Sequence, residues 1–320
     1  LVQLRRILLT GGTSGIGFEA ARLLSREGHQ LILPCRHGAS GAAVCQRLGA
    51  SPDTPVCDLA DFHSVKQCCA ALLQADEPID TLVLNAGLQY SGAAEPLWSA
   101  QGFELTVAVN HLAHQALLQW LLPLLQRGRD PRVVITASEV HDPRTPGGRV
   151  GRPAGLGTLA GLRRGAYAAM VDGSENFNAD KAYKDSKLCN LLMAHHLVHR
   201  LKVQGPAIPV LAWSPGLVIP RGQAGFFRYS RRHNPAAQTL FAFLARDLLR
   251  VTETPQGAGA LLAGLARDPL PAPISFQYWS NRVIGPGRLR FEPTAPSAEA
   301  CSDVVAGQLW DLSEALIAGC

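Results

Sequence analysis

A tyrosine and a lysine stand four positions apart in NADKAYKDSKLCNLL, residues 178–192, with Ser186 just ahead of the lysine. On a helix, positions i and i+4 share a face, so Tyr183 and Lys187 would be neighbours. A free phenol has a pKa of about 10 and a free ammonium about 10.4. A positive charge held beside the phenol favours the phenolate and brings proton exchange nearer neutral pH. Alone, the pair is better described as a tyrosine packed on a helix beside a solvated lysine. The chemical reading needs a cofactor and a second polar group.

The stretch TGGTSGIG, residues 10–17, offers the first of these. It follows an apolar run and opens a helix. Gly11, Gly15 and Gly17 let the chain turn sharply and present bare N–H groups at a helix N-terminus, which is a pyrophosphate cradle. Thr10, Thr13, Ser14 and Ile16 complete that turn. The spacing is G-x-x-x-G-x-G rather than the dinucleotide fingerprint G-x-G-x-x-G. About twenty residues on, where an acidic residue would bind a ribose 2′-hydroxyl, the chain has Arg36. A guanidinium there suits a 2′-phosphate, so the expected cofactor is NADPH.

These groups need a frame. RRILLT (5–10), QLILPC (30–35), TPVCDL (54–59), IDTLVLNAG (79–87) and PRVVITAS (131–138) read as strands. Between them, GIGFEAARLLSREG (15–28), GAAVCQRLGA (41–50), DFHSVKQCCAALLQA (61–75) and a long segment over 100–125 read as helices, with Asp61 a candidate N-cap. Apolar strands without alternation, each followed by a helix, imply a parallel sheet covered on both faces. The expected fold is α/β: one Rossmann-like, doubly wound domain over 1–320. Residues 141–178 are rich in Gly, Pro and Arg and break the rhythm, as an insertion.

With those motifs in order, the chain resembles the short-chain dehydrogenase/reductase family. The resemblance rests on TGGTSGIG, CDL with Asp58 and Leu59, NAG with Asn85, Ala86 and Gly87, Asn110 in the long helix, Ser138 after PRVVITA, and Tyr183 with Lys187. Within the family it resembles the light-dependent protochlorophyllide oxidoreductase branch. AQGFELTVAVNHLAH, YKDSKLCN and the tail YWSNRVIGPG carry that likeness. So does the extra segment that sets Ser138 and Tyr183 45 positions apart.

The resemblance implies roles. Ser138 would hydrogen-bond the substrate oxygen, and Tyr183 would donate the proton. Lys187 would hold the nicotinamide ribose and lower the tyrosine pKa. Asn110 would hold a relay water. Asp58 and Asn85 would line the adenine end, with Pro215 and Gly216 also at the cofactor. The implied reaction adds hydride from NADPH and a proton across a ring double bond of protochlorophyllide, driven by light. Two positions depart from the branch. Leu217 stands where it carries a cysteine, and leucine donates no proton. Pro220 replaces a threonine. Both favour a paralogue with another substrate, a light-independent carbonyl or retinol-type reductase, or a silent pigment-binding protein.

Bulk properties narrow the partners. The net charge of +5 falls short of a nucleic-acid signature. The expected partner is a small molecule, with a tetrapyrrole pigment the candidate. Eight scattered cysteines without C-x-x-C spacing read as thiols in a reducing cytoplasm. The aromatic and basic loop RGQAGFFRYSRRHN, 221–234, within a lid-like stretch 214–235, suits closure over a flat acidic ligand or peripheral contact with a photosynthetic membrane. Self-association stays open. No signal peptide is visible, and a chain beginning at Leu1 rather than Met is expected to start naturally upstream. The apolar run ALLQWLLPLL is too short to span a bilayer. His195, His196 and His199 lie on the tyrosine helix, but with no further ligand in the neighbouring sequence no metal is expected.

Overall fold

A computed structural model describes residues 3–204, 208–219, 251–270 and 274–320, together with Ser230, Arg232 and Ala245. A seven-stranded sheet runs in the order β2-β1-β3-β4-β5-β6-β7. Its strands are β1 (Arg6–Leu9), β2 (Gln30–Ile32), β3 (Thr81–Leu84), β4 (Arg132–Thr136), β5 (Val210–Ser214), β6 (Phe276–Gly285) and β7 (Arg288–Pro293). The first six pair parallel, and β7 folds back antiparallel on β6 at the edge.

The unbroken apolar strands have the meaning expected of them. Ile7, Leu9, Val83, Val134, Leu211 and Trp213 point to one face, against α1 (Gly15–Arg26) and a helix over Pro255–Arg267. Leu8, Leu82, Leu84, Val133, Ile135 and Val210 point to the other. That second face is covered by α3 (Phe62–Ala75), the α5 helix Ala113–Gln126, the α8 helix Ala179–Gln204 and a last helix over Asp303–Ala318. Side chains alternate across a strand, so burial on both faces favours apolar residues at every position, and the few polar ones, such as Thr81 and Arg132, are buried with hydrogen-bond partners. Between α1 and α3 runs α2 (Gly38–Leu48). The short helices α4 (Leu105–Val107), α6 (Pro146–Arg149) and α7 (Ala160–Arg164) complete the set up to α8, and the two C-terminal helices are α9 and α10.

Three expectations need correction. TPVCDL is not a sheet strand. It meets the chain just past β2 through an isolated bridge, Cys35 to Val56, and hydrogen bonds from Cys35 N–H to Pro55 O and Cys57 N–H to Cys35 O. Pro52 and Pro55 have no N–H to give a ladder, and Pro34 ends β2 early for the same reason. The helix expected from 100 begins at Leu105, because the buried Glu104 side chain accepts from the backbone N–H groups of Thr106 and Val107, each at 3.0 Å. It is also not uniform: residues Ala108–Leu112 form a π-helical segment before α5. Pro220 and nearly all of the 221–234 loop lie outside the described residues.

Candidate active site

The cleft opens at the carboxyl ends of the strands, and a buried polar network sets its floor. Thr10, at the end of β1, accepts from the backbone N–H groups of Asn85 and Ala86, both at 2.9 Å. With its lone pairs occupied, its hydroxyl hydrogen goes to His114 Nε2 at 3.0 Å. His114 then donates from Nδ1 to the Asn110 carbonyl at 3.0 Å. Burial holds that imidazole neutral, its pKa pushed down to about 3. Asn85 ties further strands together, donating to Thr10 O at 3.1 Å and accepting from Thr136 Oγ1 at 3.1 Å. Trp213 Nε1 donates to that same hydroxyl at 2.9 Å. Four neighbouring strand ends are thereby fixed relative to one another before any ligand arrives.

Above this floor sits the glycine turn. A Cβ on Gly17 would fall 2.3 Å from Gly11 O, so the turn closes only on hydrogen. A Cβ on Gly15, at φ +55°, would meet nothing within 4 Å, because that position faces open cleft. Ser14 occupies the N-cap of α1 yet makes no side-chain cap hydrogen bond. The first N–H groups of α1 thus stay available to an anion. This fits a dinucleotide pyrophosphate.

At the adenine end Arg36 is half-exposed, with Nε 3.8 Å from Asp58 Oδ1. A residue that sequence reasoning missed joins it. Arg47, in the last turn of α2, lies over the Phe18 ring at 3.6 Å and donates to Thr13 O at 2.7 Å. It therefore holds a second guanidinium in the cleft wall between the glycine turn and Arg36. Arg36 precedes α2 and Arg47 lies at its end, so no spacing in the sequence pairs them.

The proposed chemistry sits where β4 meets α8. Tyr183 is hydrogen-bonded to the Ser138 side chain. Lys187 Nζ lies 5.6 Å from the Tyr183 ring centroid and donates to Thr136 O at 3.1 Å. So the phenol, the ammonium and the hydroxyl, 45 and 49 residues from one strand end to one helix, do meet. Their protonation differs from the expectation. Burial pushes the Tyr183 phenol up, only partly opposed by Ser138, and pushes Lys187 down to about 7. With no anion beside it among the described residues, the lysine is too poorly charged to lower the tyrosine.

Asn110 is placed differently from its neighbours. It is fully buried and does not line the cleft. Its amide donates to Leu88 O and Ser186 Oγ, both at 3.0 Å, and accepts from Leu88 N at 2.9 Å. It braces the NAG loop against α8. The π-helical segment around it is the kind of irregularity that collects at functional sites. The remaining residues expected at cofactor or substrate, from Thr10 to Gly216, line the cleft.

The insertion forms the opposite wall, and buried charges on α8 hold it there. Lys184 Nζ donates to the carbonyls of Gly148, Val150 and Arg152, those to Gly148 and Arg152 measuring 3.1 and 3.0 Å. Lys181 pairs with Asp185 at 2.6 Å and Asp172 at 3.1 Å, and Asp185 accepts from Gly155 N at 3.0 Å. His141, Tyr278, Glu139 and Arg282 also line this end. Burial raises Glu139, with Arg282 opposing. The cleft encloses about 1780 Å³. Leu217 borders it, its carbonyl accepting from Glu253 N at 2.9 Å.

Residues 5–150 match the short chain dehydrogenase family. Over 97% of the chain there is 33% identity to a protochlorophyllide reductase of Avena sativa, covering 99% of that protein. A chloroplastic protochlorophyllide reductase A of Oryza sativa subsp. japonica is likewise 33% identical, with 80% of its length covered. Among solved structures, an uncharacterised protein of Mycobacterium paratuberculosis superposes with a TM-score of 0.69 at 27% identity, over 98% of this chain and 93% of the other. L-sorbose reductase of Gluconobacter frateurii, solved with NADPH and L-sorbose, shares the fold at a TM-score of 0.60 and 15% identity, over 90% and 98%.

Proposed function

The chain belongs to the short-chain dehydrogenase family, beside the protochlorophyllide reductases, and from that premise we propose that it is an NADPH-dependent reductase of a large, flat, acidic ring system of the protochlorophyllide class. The observation that carries this reading is the size and make-up of the cleft. Its volume of about 1780 Å³ exceeds the ~300–1,000 Å³ of an ordinary small-molecule pocket. It has room for a dinucleotide and a bulky second ligand together. One end has a glycine turn and two guanidinium groups. The other is walled by the insertion and edged by Arg144, Arg282 and Lys184.

When bound, NADPH supplies the hydride. The open N-terminus of α1 would hold the pyrophosphate, and Arg36 and Arg47 would hold the 2′-phosphate. Lys187 reaches the ribose. Ribose hydroxyls accepting from it would favour the ammonium and raise its pKa back toward the charged form. The recharged lysine then stabilises developing negative charge on the Tyr183 oxygen. Tyr183 hands its proton to the substrate, and Ser138 holds the tyrosine hydroxyl in position. A phenol whose resting pKa is raised by burial keeps its proton until that moment.

Leu217 favours a second reading. It places an inert side chain in the cleft wall where the family likeness leads one to expect a thiol, consistent with a dark reduction of a different carbonyl or ring substrate. One experiment separates the two. Purified protein is mixed with NADPH and protochlorophyllide, kept dark, then illuminated. Red-shifted chlorophyllide absorption only after illumination supports the first reading. NADPH oxidation in the dark with an aldehyde or ketone panel supports the second. The absence of both signals would overturn the reductase assignment.

A further inference from the structure

The helix that carries Tyr183 and Lys187 bears a second set of chemistry-bearing side chains two turns further on. His195 and His199 lie one turn apart on α8. Each directs Nε2 at the same carboxylate oxygen, Asp303 Oδ1, at 2.7 and 3.3 Å. Asp303 is the first residue of α10. All three ligand atoms lie within 4.8 Å of one another. The histidine pair alone lacked a third ligand in the neighbouring sequence. The fold supplies one from 104 residues away.

We propose that His195, His199 and Asp303 form a binding site for zinc or a similar divalent transition metal, and that the ion clips α10 to α8. Two imidazoles and one carboxylate suit zinc, cobalt, nickel or copper rather than magnesium or calcium, which prefer all-oxygen shells. Metal–ligand bonds of about 2.0–2.2 Å place tetrahedral ligand atoms about 3.3 Å apart. Of the separations from Asp303, that to His199, 3.3 Å, matches this value and that to His195, 2.7 Å, falls short of it, so an ion enters by small side-chain rotations.

The backbones are already positioned. His196 packs on Trp310 with ring centroids 5.2 Å apart, and Arg200 lies over the same indole at 5.1 Å. Ser302 caps α10, accepting from Val305 N at 3.4 Å. Rigid helices make more exact sites than loops. The His195 side chain is mostly buried, whereas His199 and Asp303 are largely exposed, which leaves a route for the ion and positions for water. None of the three lines the cleft, so the role is mechanical, not catalytic. The alternative is a plain ion pair, in which Asp303 favours the N-terminus of α10 and attracts protonated histidines.

The full chain, stripped with EDTA and dialysed, is titrated with zinc chloride by calorimetry and by thermal melting. The expected result is one zinc per chain, saturable, with a melting temperature raised by a few degrees. The His195→Ala/His199→Ala double variant should bind zinc at least about tenfold more weakly and lose the shift, a difference of about 1.4 kcal/mol. NADPH binding, read by fluorescence, should not change. Should the double variant fold poorly, Asp303→Asn at an exposed position carries the same expectation. Cobalt substituted for zinc should show no thiolate charge-transfer band, since no cysteine is a ligand. Absence of saturable binding, retention of binding in both variants, or a thiolate band would overturn the site.

Discussion

His141 donates from Nδ1 to the carbonyl oxygen of Ser138 at 2.6 Å. Its other nitrogen accepts from the backbone N–H of Ser297 at 3.1 Å. Both contacts require the neutral ring, and burial lowers its pKa accordingly. The residue that hydrogen-bonds Tyr183 is therefore tethered to the C-terminal segment through one imidazole. His141→Ala should leave the Ser297 N–H unpaired and the Ser138 carbonyl with only the backbone N–H of residue 141, 3.3 Å away, and cost about 1–3 kcal/mol. Urea unfolding measures that loss. Turnover should fall while NADPH affinity, set at the far end of the cleft, stays within about threefold.

Lys187 is held at a cost to stability. Its folded pKa of about 7 lies below the unfolded value of 10.5. Between those values the unfolded chain binds a proton that the folded chain lacks, so stability should rise with pH across that window. Lys187→Met should remove the slope and stabilise the ligand-free protein at pH 7 by about 0.5–2 kcal/mol. The same variant should lose turnover, as should Tyr183→Phe by about 10²–10⁴-fold. Denaturant melts from pH 7 to 10, run beside steady-state rates, check both halves. A Lys187→Met variant that is less stable at pH 7 would count against this account.

Arg36 and Arg47 are expected to share the 2′-phosphate. Each Ala variant should weaken NADPH by roughly 10–100-fold, the worth of a charge-assisted hydrogen bond, and barely change NADH. Fluorescence titration with both cofactors reads this directly. Equal losses for the two would mean that Arg47 serves the turn, through Thr13 and Phe18, and not the phosphate.

Lys184 holds three carbonyls of the insertion, two of them the loop that walls the cleft. Lys184→Met should leave those carbonyls without a donor and free the segment around Arg144 and Arg149. Limited trypsin digestion should then cut there at least several-fold faster than in the parent protein, with hydrogen exchange raised over 141–155 and the sheet unaffected. Unchanged cleavage would show the insertion to be held mainly by the Lys181–Asp185–Asp172 group.

Much of this was legible in the sequence, and for one reason. Apolar runs such as ILL (7–9) and VVI (133–135) have no polar position within them, which only a sheet buried on both faces tolerates. A glycine turn placed between strand and helix has few other uses. Residues placed by backbone geometry or helix spacing were therefore readable as cleft positions, from Gly15 to Tyr183 and Lys187. Strand ends where proline interrupts the ladder, as at TPVCDL, were not. There the apolar pattern persists while the ladder is reduced to a few isolated hydrogen bonds, such as Cys35 N–H to Pro55 O and Cys57 N–H to Cys35 O.

What the chain order could not convey is which distant groups share a dielectric and a partner. That Asn110 is a buried brace and not a wall of the cleft, that Arg47 joins Arg36, and that Asp303 meets two histidines all depend on helices packing after the sheet has formed. So does the charge state of the central pair. Residue types place an ammonium and a phenol one turn apart, but only burial decides that, without a ligand, the ammonium is half lost and the phenol keeps its proton. Desolvation is a property of the whole packed interior, and no local spacing encodes it.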